Sequence, residues 1–258
     1  MIDTNVYLSR WPFRRLPLDE TPKLVERLRA AGVEQAWAGS FEALLHRDVA
    51  GVNARLAEEC RAAGDGLLLP FGTVNVTLPE WQDDLRRCHE THGMHGLRLH
   101  PNYHGYALDD PRFEELAGMA AERSLLVQIA LTMEDERTQH PLARVPHVDV
   151  RKLPALVDRL PSLNVQLLNA FRSLRTERMD DLASRDRVHF EIASLEGVAG
   201  VERLVEVVTA RRVLFGSHAP FFYLESAVLK LKESNLGGLQ TQEIATGNAR
   251  RLLESLRA

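Results

Sequence analysis

The chain has 258 residues, of which 45% are hydrophobic and 26% charged, and its formal net charge is -4. That length suits one large domain or two small ones, and the composition is that of a folded globular chain. The mildly acidic balance argues against a nucleic-acid partner, which needs clustered positive charge. No apolar run approaches the roughly 20 residues of a membrane span, and no basic, apolar leader opens the chain. Cys60 and Cys88 are too few for a disulfide framework or a cysteine metal site, so a reducing cytoplasm is the expected setting.

In chain order, Met1 to Tyr7 reads as a strand, followed by the loop Trp11-Pro12-Phe13-Arg14-Arg15-Leu16-Pro17. Asp19 or Thr21 can cap a helix that runs to Gly32. Further strands are expected at Glu34–Ala38, Leu67–Val74, Gly96–His100, Leu125–Leu131, Val165–Leu168, Val188–Ile192 and Val213–Phe215. The intervening helices are expected at Val52–Ala63, Pro79–His92, Pro111–Arg123, Lys152–Leu160, Met179–Arg185 and Val201–Arg211, with closing helices at Glu225–Glu233 and Thr241–Leu256. These apolar runs, bounded by turn residues, are strands buried on both faces, as parallel strands are. Eight strands alternating with helices over residues 1–258 predict one α/β domain, a (β/α)8 TIM barrel. An open doubly wound sheet is the alternative. It would call for a Gly-rich loop after strand one, where Asn5-Val6-Tyr7-Leu8-Ser9-Arg10 has no glycine.

Six segments, in order, resemble the amidohydrolase-related family: Ile2-Asp3-Thr4-Asn5-Val6-Tyr7, Gly96-Leu97-Arg98-Leu99-His100-Pro101, Leu126-Val127-Gln128-Ile129, Val165-Gln166-Leu167-Leu168-Asn169, Val213-Leu214-Phe215-Gly216-Ser217-His218-Ala219-Pro220, and Thr246-Gly247-Asn248-Ala249-Arg250-Arg251-Leu252. The resemblance covers nearly the whole chain and implies the same barrel. It also implies a divalent-metal site, with two histidines on strand one, one each on strands five and six, and an aspartate on strand eight. The matching positions hold Asn5, Tyr7, Ala130, Asn169 and His218. Neutral amides are weak zinc ligands and alanine is none, so no metal and no other cofactor is expected. Zinc held by atypical ligands such as His100, His104, Glu134, His140 and His218 is the disfavoured alternative.

The site is therefore expected among ionisable and amide residues at the C-terminal strand ends. His218, Tyr7, Asn5 and Asn169 are the candidate catalytic residues, and Arg98, His100 and Arg172 the candidate substrate-binding ones. A histidine is suited to general-base work near neutrality, and arginines pair bidentately with carboxylates. Ser194 and Ser217 lie outside any nucleophile-elbow motif and read as turn or capping residues; Glu191 alternates with His189 on strand seven, and a salt bridge to a neighbouring arginine is its structural alternative to a functional role. The favoured reading is a metal-independent hydrolase of a small carboxylate-bearing ester, lactone or amide, with neither a nucleic-acid nor a membrane partner. A metal-dependent amidohydrolase and a non-catalytic small-molecule-binding relative are the alternatives. A homo-oligomer is left open.

Overall fold

The first strand carries the whole barrel. β1 (Ile2–Leu8) is buried at every residue, and its apolar residues alternate with Asp3, Asn5 and Tyr7. The computed structural model describes residues 1–172, 174 and 176–257; the side chains of residues 172, 176–178 and 257 lie outside it. The remaining strands are β2 (Gln35–Ser40), β3 (Leu68–Pro70), β4 (Gly96–Leu99), β5 (Leu126–Ala130), β6 (Val165–Leu168), β7 (Val188–Glu191) and β8 (Val213–Leu214). Parallel pairing runs β1-β2-β3 and β4-β5-β6-β7-β8. Bridges between Gly72 and Leu97 and between Val6 and Ala219 join the two sheets at both edges. The ring closes, and the fold is the expected (β/α)8 barrel.

Helices α1 (Thr21–Ala30), α2 (Val49–Gly64), α3 (Trp81–Glu90), α5 (Pro111–Glu122), α6 (Leu153–Arg159), α7 (Thr176–Ala183) and α8 (Gly200–Val208) alternate with the strands, and a single turn, α4 (Pro101–His104), follows β4. Helices α9 (Leu224–Lys232), α10 (Gly238–Gln242) and α11 (Asn248–Arg257) close the chain. Among the described residues, no helix is long and apolar enough to cross a membrane.

Three of the departures from expectation are worth tracing to their local bonding. Neither Asp19 nor Thr21 caps α1, whose N-cap is Glu20 without a side-chain bond. The Asp19 carboxylate is taken by Arg15, and the Thr21 hydroxyl donates to Glu59. The third strand is shorter than expected, ending at Pro70, although Phe71 N still donates to Ala38 O at 2.8 Å. The last helix is interrupted by a π-helical stretch, Glu243–Gly247, where the Ile244 carbonyl accepts from Phe215 N at 3.0 Å.

The barrel interior carries a belt of polar side chains, where branched apolar residues usually dominate such layers. A register shift in the β1–β2 ladder between Asp3 and Val6 marks a bulge, which takes backbone groups out of regular pairing. Arg98 occupies the space opened there. Its guanidinium donates to Val6 O (2.5 Å), Thr4 O (3.1 Å) and Trp37 O (2.9 Å), and Nε donates to Gln128 Oε1 (2.8 Å). The Gln128 amide donates onward to Gln166 (2.8 Å), whose amide donates to the Thr4 hydroxyl (2.7 Å). The Arg98 stem lies over Gly39, where a Cβ would meet Cδ at 2.7 Å. Gly39→Ala is therefore expected to destabilise the barrel by about 1–3 kcal/mol through overpacking, measured as a lowered denaturation midpoint.

Candidate functional site

At the C-terminal end of β1 the bulge turns Asn5 toward β6 and β7. Its amide Nδ2 donates to Asn169 Oδ1 (3.0 Å) and approaches Glu191 Oε1 (3.4 Å). Glu191 also accepts from the backbone N–H groups of Asn169 (2.6 Å) and Ala193 (2.5 Å). Burial raises the Glu191 pKa, and these donors oppose the rise. The expected arginine partner for Glu191 is replaced by amides. Gly216 makes room for the carboxylate, since a Cβ there would fall 2.6 Å from Oε2. Asp3 accepts from Asn5 N (3.1 Å) and Ser217 N (3.0 Å), and burial pushes its pKa up to about 7.

His218 follows β8 and is fully buried. Its backbone N–H donates to Asn5 O (2.8 Å), locking the end of the last strand to the first. The ring Nε2 lies 2.9 Å from Met133 O, an acceptor that requires the Nε2–H tautomer. Nδ1 then keeps its lone pair and faces the Asn169 amide at 3.5 Å, while that amide donates more closely to Thr132 O (2.9 Å). Burial lowers the imidazole pKa to about 3. Asn169 and His218 both have left-handed backbones, with φ of 53° and 58°. Non-glycine residues rarely adopt that conformation, and it concentrates at functional sites.

The second cluster joins Tyr7 to His100, with the hydroxyl 3.0 Å from Nε2 and 3.5 Å from Met133 Sδ. Burial pushes the phenol up to about 12, so it remains a donor at neutrality. His100 sits at the N-terminus of α4, and burial holds its pKa well below the usual histidine range. Above these residues lies an aromatic plug. Tyr7 stacks on Phe41 (4.7 Å between centroids), Trp11 packs edge-on against Phe13, Phe41 and Phe221, and Phe221 leans on His218. Arg14 crosses the rim, 4.9 Å from the Phe221 ring centroid and 3.3 Å from Glu134.

The structure thus brings together five of the seven expected site residues: Asn5, Tyr7, His100, Asn169 and His218. Arg98 lies beneath them, with its donors on protein acceptors and its charge 4.6 Å under the Tyr7 ring. It serves as a strut for the bulge, which revises its expected role as a substrate clamp. The Arg172 side chain lies outside the described residues. Ser194 and Ser217 fill capping roles, accepting from Phe171 N and Ala219 N. Sequence reasoning missed the Met133 carbonyl and the Asp3 carboxylate. Asp3 carried a legible signal, an acid alternating with Asn5 and Tyr7 on the first strand.

The amidohydrolase family model matches residues 10–254. The chain belongs to that family. Among solved structures of similar fold is 2,6-dihydroxybenzoate decarboxylase from Rhizobium, at 16% identity over 98% of this chain and 99% of that one, with a TM-score of 0.72. Another is 5-carboxyvanillate decarboxylase from Novosphingobium aromaticivorans with bound manganese, at 15% identity over 98% and 96%, with a TM-score of 0.75. An uncharacterised TIM-barrel protein from Bordetella bronchiseptica matches at 16% identity over the full length of both chains, with a TM-score of 0.74. No curated protein sequence matches. At these identities the likeness carries the fold alone.

The residues present do not fit the manganese that such a relative holds. Among the described residues, no group of three or more His, Cys, Asp or Glu could hold a metal. Of the positions matched to the family's ligands, only His218 offers a strong donor. Its Nε2 is committed to Met133 O, and its Nδ1 faces an amide N–H donor. Tyr7 would have to ionise against the raised pKa to serve as an anionic ligand.

Proposed function

We propose that this chain is a metal-independent hydrolase working at the C-terminal mouth of the barrel on a small carboxylate-bearing ester, lactone or amide. The observation that carries this reading is the buried constellation of His218, Asn169, Asn5, Tyr7 and His100 where relatives hold a metal. Five polar residues stand together with no ionic ligand set, two of them on left-handed backbone. His218 Nδ1 carries a lone pair engaged only by the 3.5 Å approach of the Asn169 amide, and this lone pair takes the proton from water. Asn5, Asn169 and Tyr7 supply N–H and O–H donors for an oxygen that gains negative charge. Arg14 at the rim is the cation placed to meet a substrate carboxylate once it leaves Glu134. The plug over His218 must lift for substrate to reach Nδ1, and opening also rehydrates the ring and raises its basicity.

That plug favours a second reading, a relative that binds a small molecule without turning it over. Elemental analysis and a substrate screen separate the readings. Protein purified without chelator is expected to hold far less than one manganese, zinc or iron per chain, and to hydrolyse some ester, lactone or amide equally well with chelator present. A stoichiometric metal whose removal abolishes turnover would overturn metal independence. Ligands that quench Trp11 fluorescence but are never consumed would establish the binding reading instead.

A further inference from the structure

The opposite end of the barrel carries a second concentration of charge, which the mouth chemistry does not use. A cleft of about 450 Å³ opens at the N-terminal ends of β6, β7 and β8, against α11. Four arginines line it, Arg187, Arg211, Arg212 and Arg251, together with His189, and Asp186 is the one acidic residue of its lining. A chain of net charge -4 has thus gathered a local excess of positive charge in one concavity.

The arginines are not spent alike. Arg212 is buried and holds the floor, donating to the carbonyls of Val208 (3.0 Å), Arg185 (2.8 Å) and Ala183. Arg251 donates to Asn248 Oδ1, and the Asn248 amide donates to Ala210 O and Val213 O, both at 2.7 Å. Arg187 and Arg211 are exposed, and no ion pair engages either among the described residues. In the same lining, the buried Nδ1 of His189 is without a hydrogen-bond partner among the described residues. Desolvation and the neighbouring Arg212, Arg251 and Arg187 lower the His189 pKa to about 3. Thr209, on the rim just ahead of the Arg211-Arg212 pair, holds φ 64° and ψ 147°. A β-branched residue there is strained, as residues at ligand clamps often are.

Planar guanidinium forks match the oxygens of a tetrahedral anion, and converging cations favour a doubly charged one over chloride. We propose that this cleft is a binding site for a phosphate-type dianion, either free phosphate or the phosphate of a small phosphoester. Arg187 and Arg211 clamp its oxygens, Arg251 flanks them, and His189 Nδ1 meets the anion once the ring takes up a proton. The site is separate from the barrel mouth and does not depend on the chemistry proposed there.

Calorimetric titration of the full chain with inorganic phosphate and with glycerol 3-phosphate, at ionic strength fixed by potassium chloride, tests this. Saturable binding of one anion per chain is expected. The tighter ligand identifies the source, free phosphate or a phosphoester. Arg187→Gln and Arg211→Gln should each weaken binding at least tenfold while leaving the melting temperature unchanged, since among the described residues neither side chain has an ion pair to lose. Histidine NMR gives an independent reading, with saturating phosphate moving the His189 titration upward in pH. Heats that vanish at fixed ionic strength, or undiminished binding in the double variant, would overturn the site.

Discussion

Arg98→Met is expected to cost about 3–5 kcal/mol of stability, the range for breaking a buried charged interaction. The expected readout is a large fall in the urea midpoint. Methionine can fill much of the stem's volume, so the loss is chiefly polar. Thr4 O, Val6 O and Trp37 O lose a donor inside the barrel, and Gln128 Oε1 loses its own. A buried group left unpaired forfeits its full desolvation energy, well beyond the net value of one hydrogen bond. The variant also removes the positive charge that Asp3 and Glu191 share the interior with. A midpoint within error of the parent, combined with weakened ligand binding, would return Arg98 to the role of substrate clamp.

Arg98 also shows how far the sequence could be read. Arg98 and His100 share parity on an apolar strand, which lets both face the barrel interior, and both are buried. What Arg98 does there could not be read, because the demand for its donors arises from a bulge in a strand far away in sequence. The same limit applies to His218. Its position after Leu-Phe-Gly-Ser marked it as a strand-end residue at the mouth. The Met133 carbonyl that sets its tautomer lies on the loop after β5, and no periodicity marks it.

The barrel itself was legible because each strand is a short apolar run closed by a turn residue, a local signal repeated eight times. Departures came where tertiary bonds override local preference. Arg15 and Glu59 draw off the two candidate caps of α1. The bond from Phe215 N, just past β8, to the Ile244 carbonyl falls where the last helix is broken. The aromatic plug shows both sides of this. Trp11 and Phe13 were legible as aromatics of one loop, but Phe41 and Phe221 reach them from elements far apart in sequence, so the closure over the site was invisible.

His218→Asn should reduce turnover of a substrate found in the screen by roughly a hundred- to ten-thousand-fold, the usual loss when a general base is removed. Asparagine is the informative replacement. It accepts left-handed backbone readily, so the φ of 58° poses no obstacle, although its shorter amide reaches the Nδ1 position and gives up the Nε2 bond to the Met133 carbonyl. It cannot offer the basic lone pair of Nδ1. The fold then persists while proton acceptance is lost, with a cost of about 1–3 kcal/mol for the Met133 carbonyl left without its donor. The pH profile gives a second reading. A histidine whose pKa is lowered to about 3 in the closed site stays neutral well below the ordinary histidine range. Any acid limb set by His218 should therefore fall below pH 6.5, and it should disappear in the variant. Stability runs in the same direction: a depressed folded-state pKa favours the fold above the unfolded value and loses that support as pH falls toward the folded one. Full activity in His218→Asn would remove the residue from the chemistry. Among the residues at the mouth, the Tyr7–His100 pair would then be the remaining acid–base candidate, because its 3.0 Å contact joins a donor to a second imidazole.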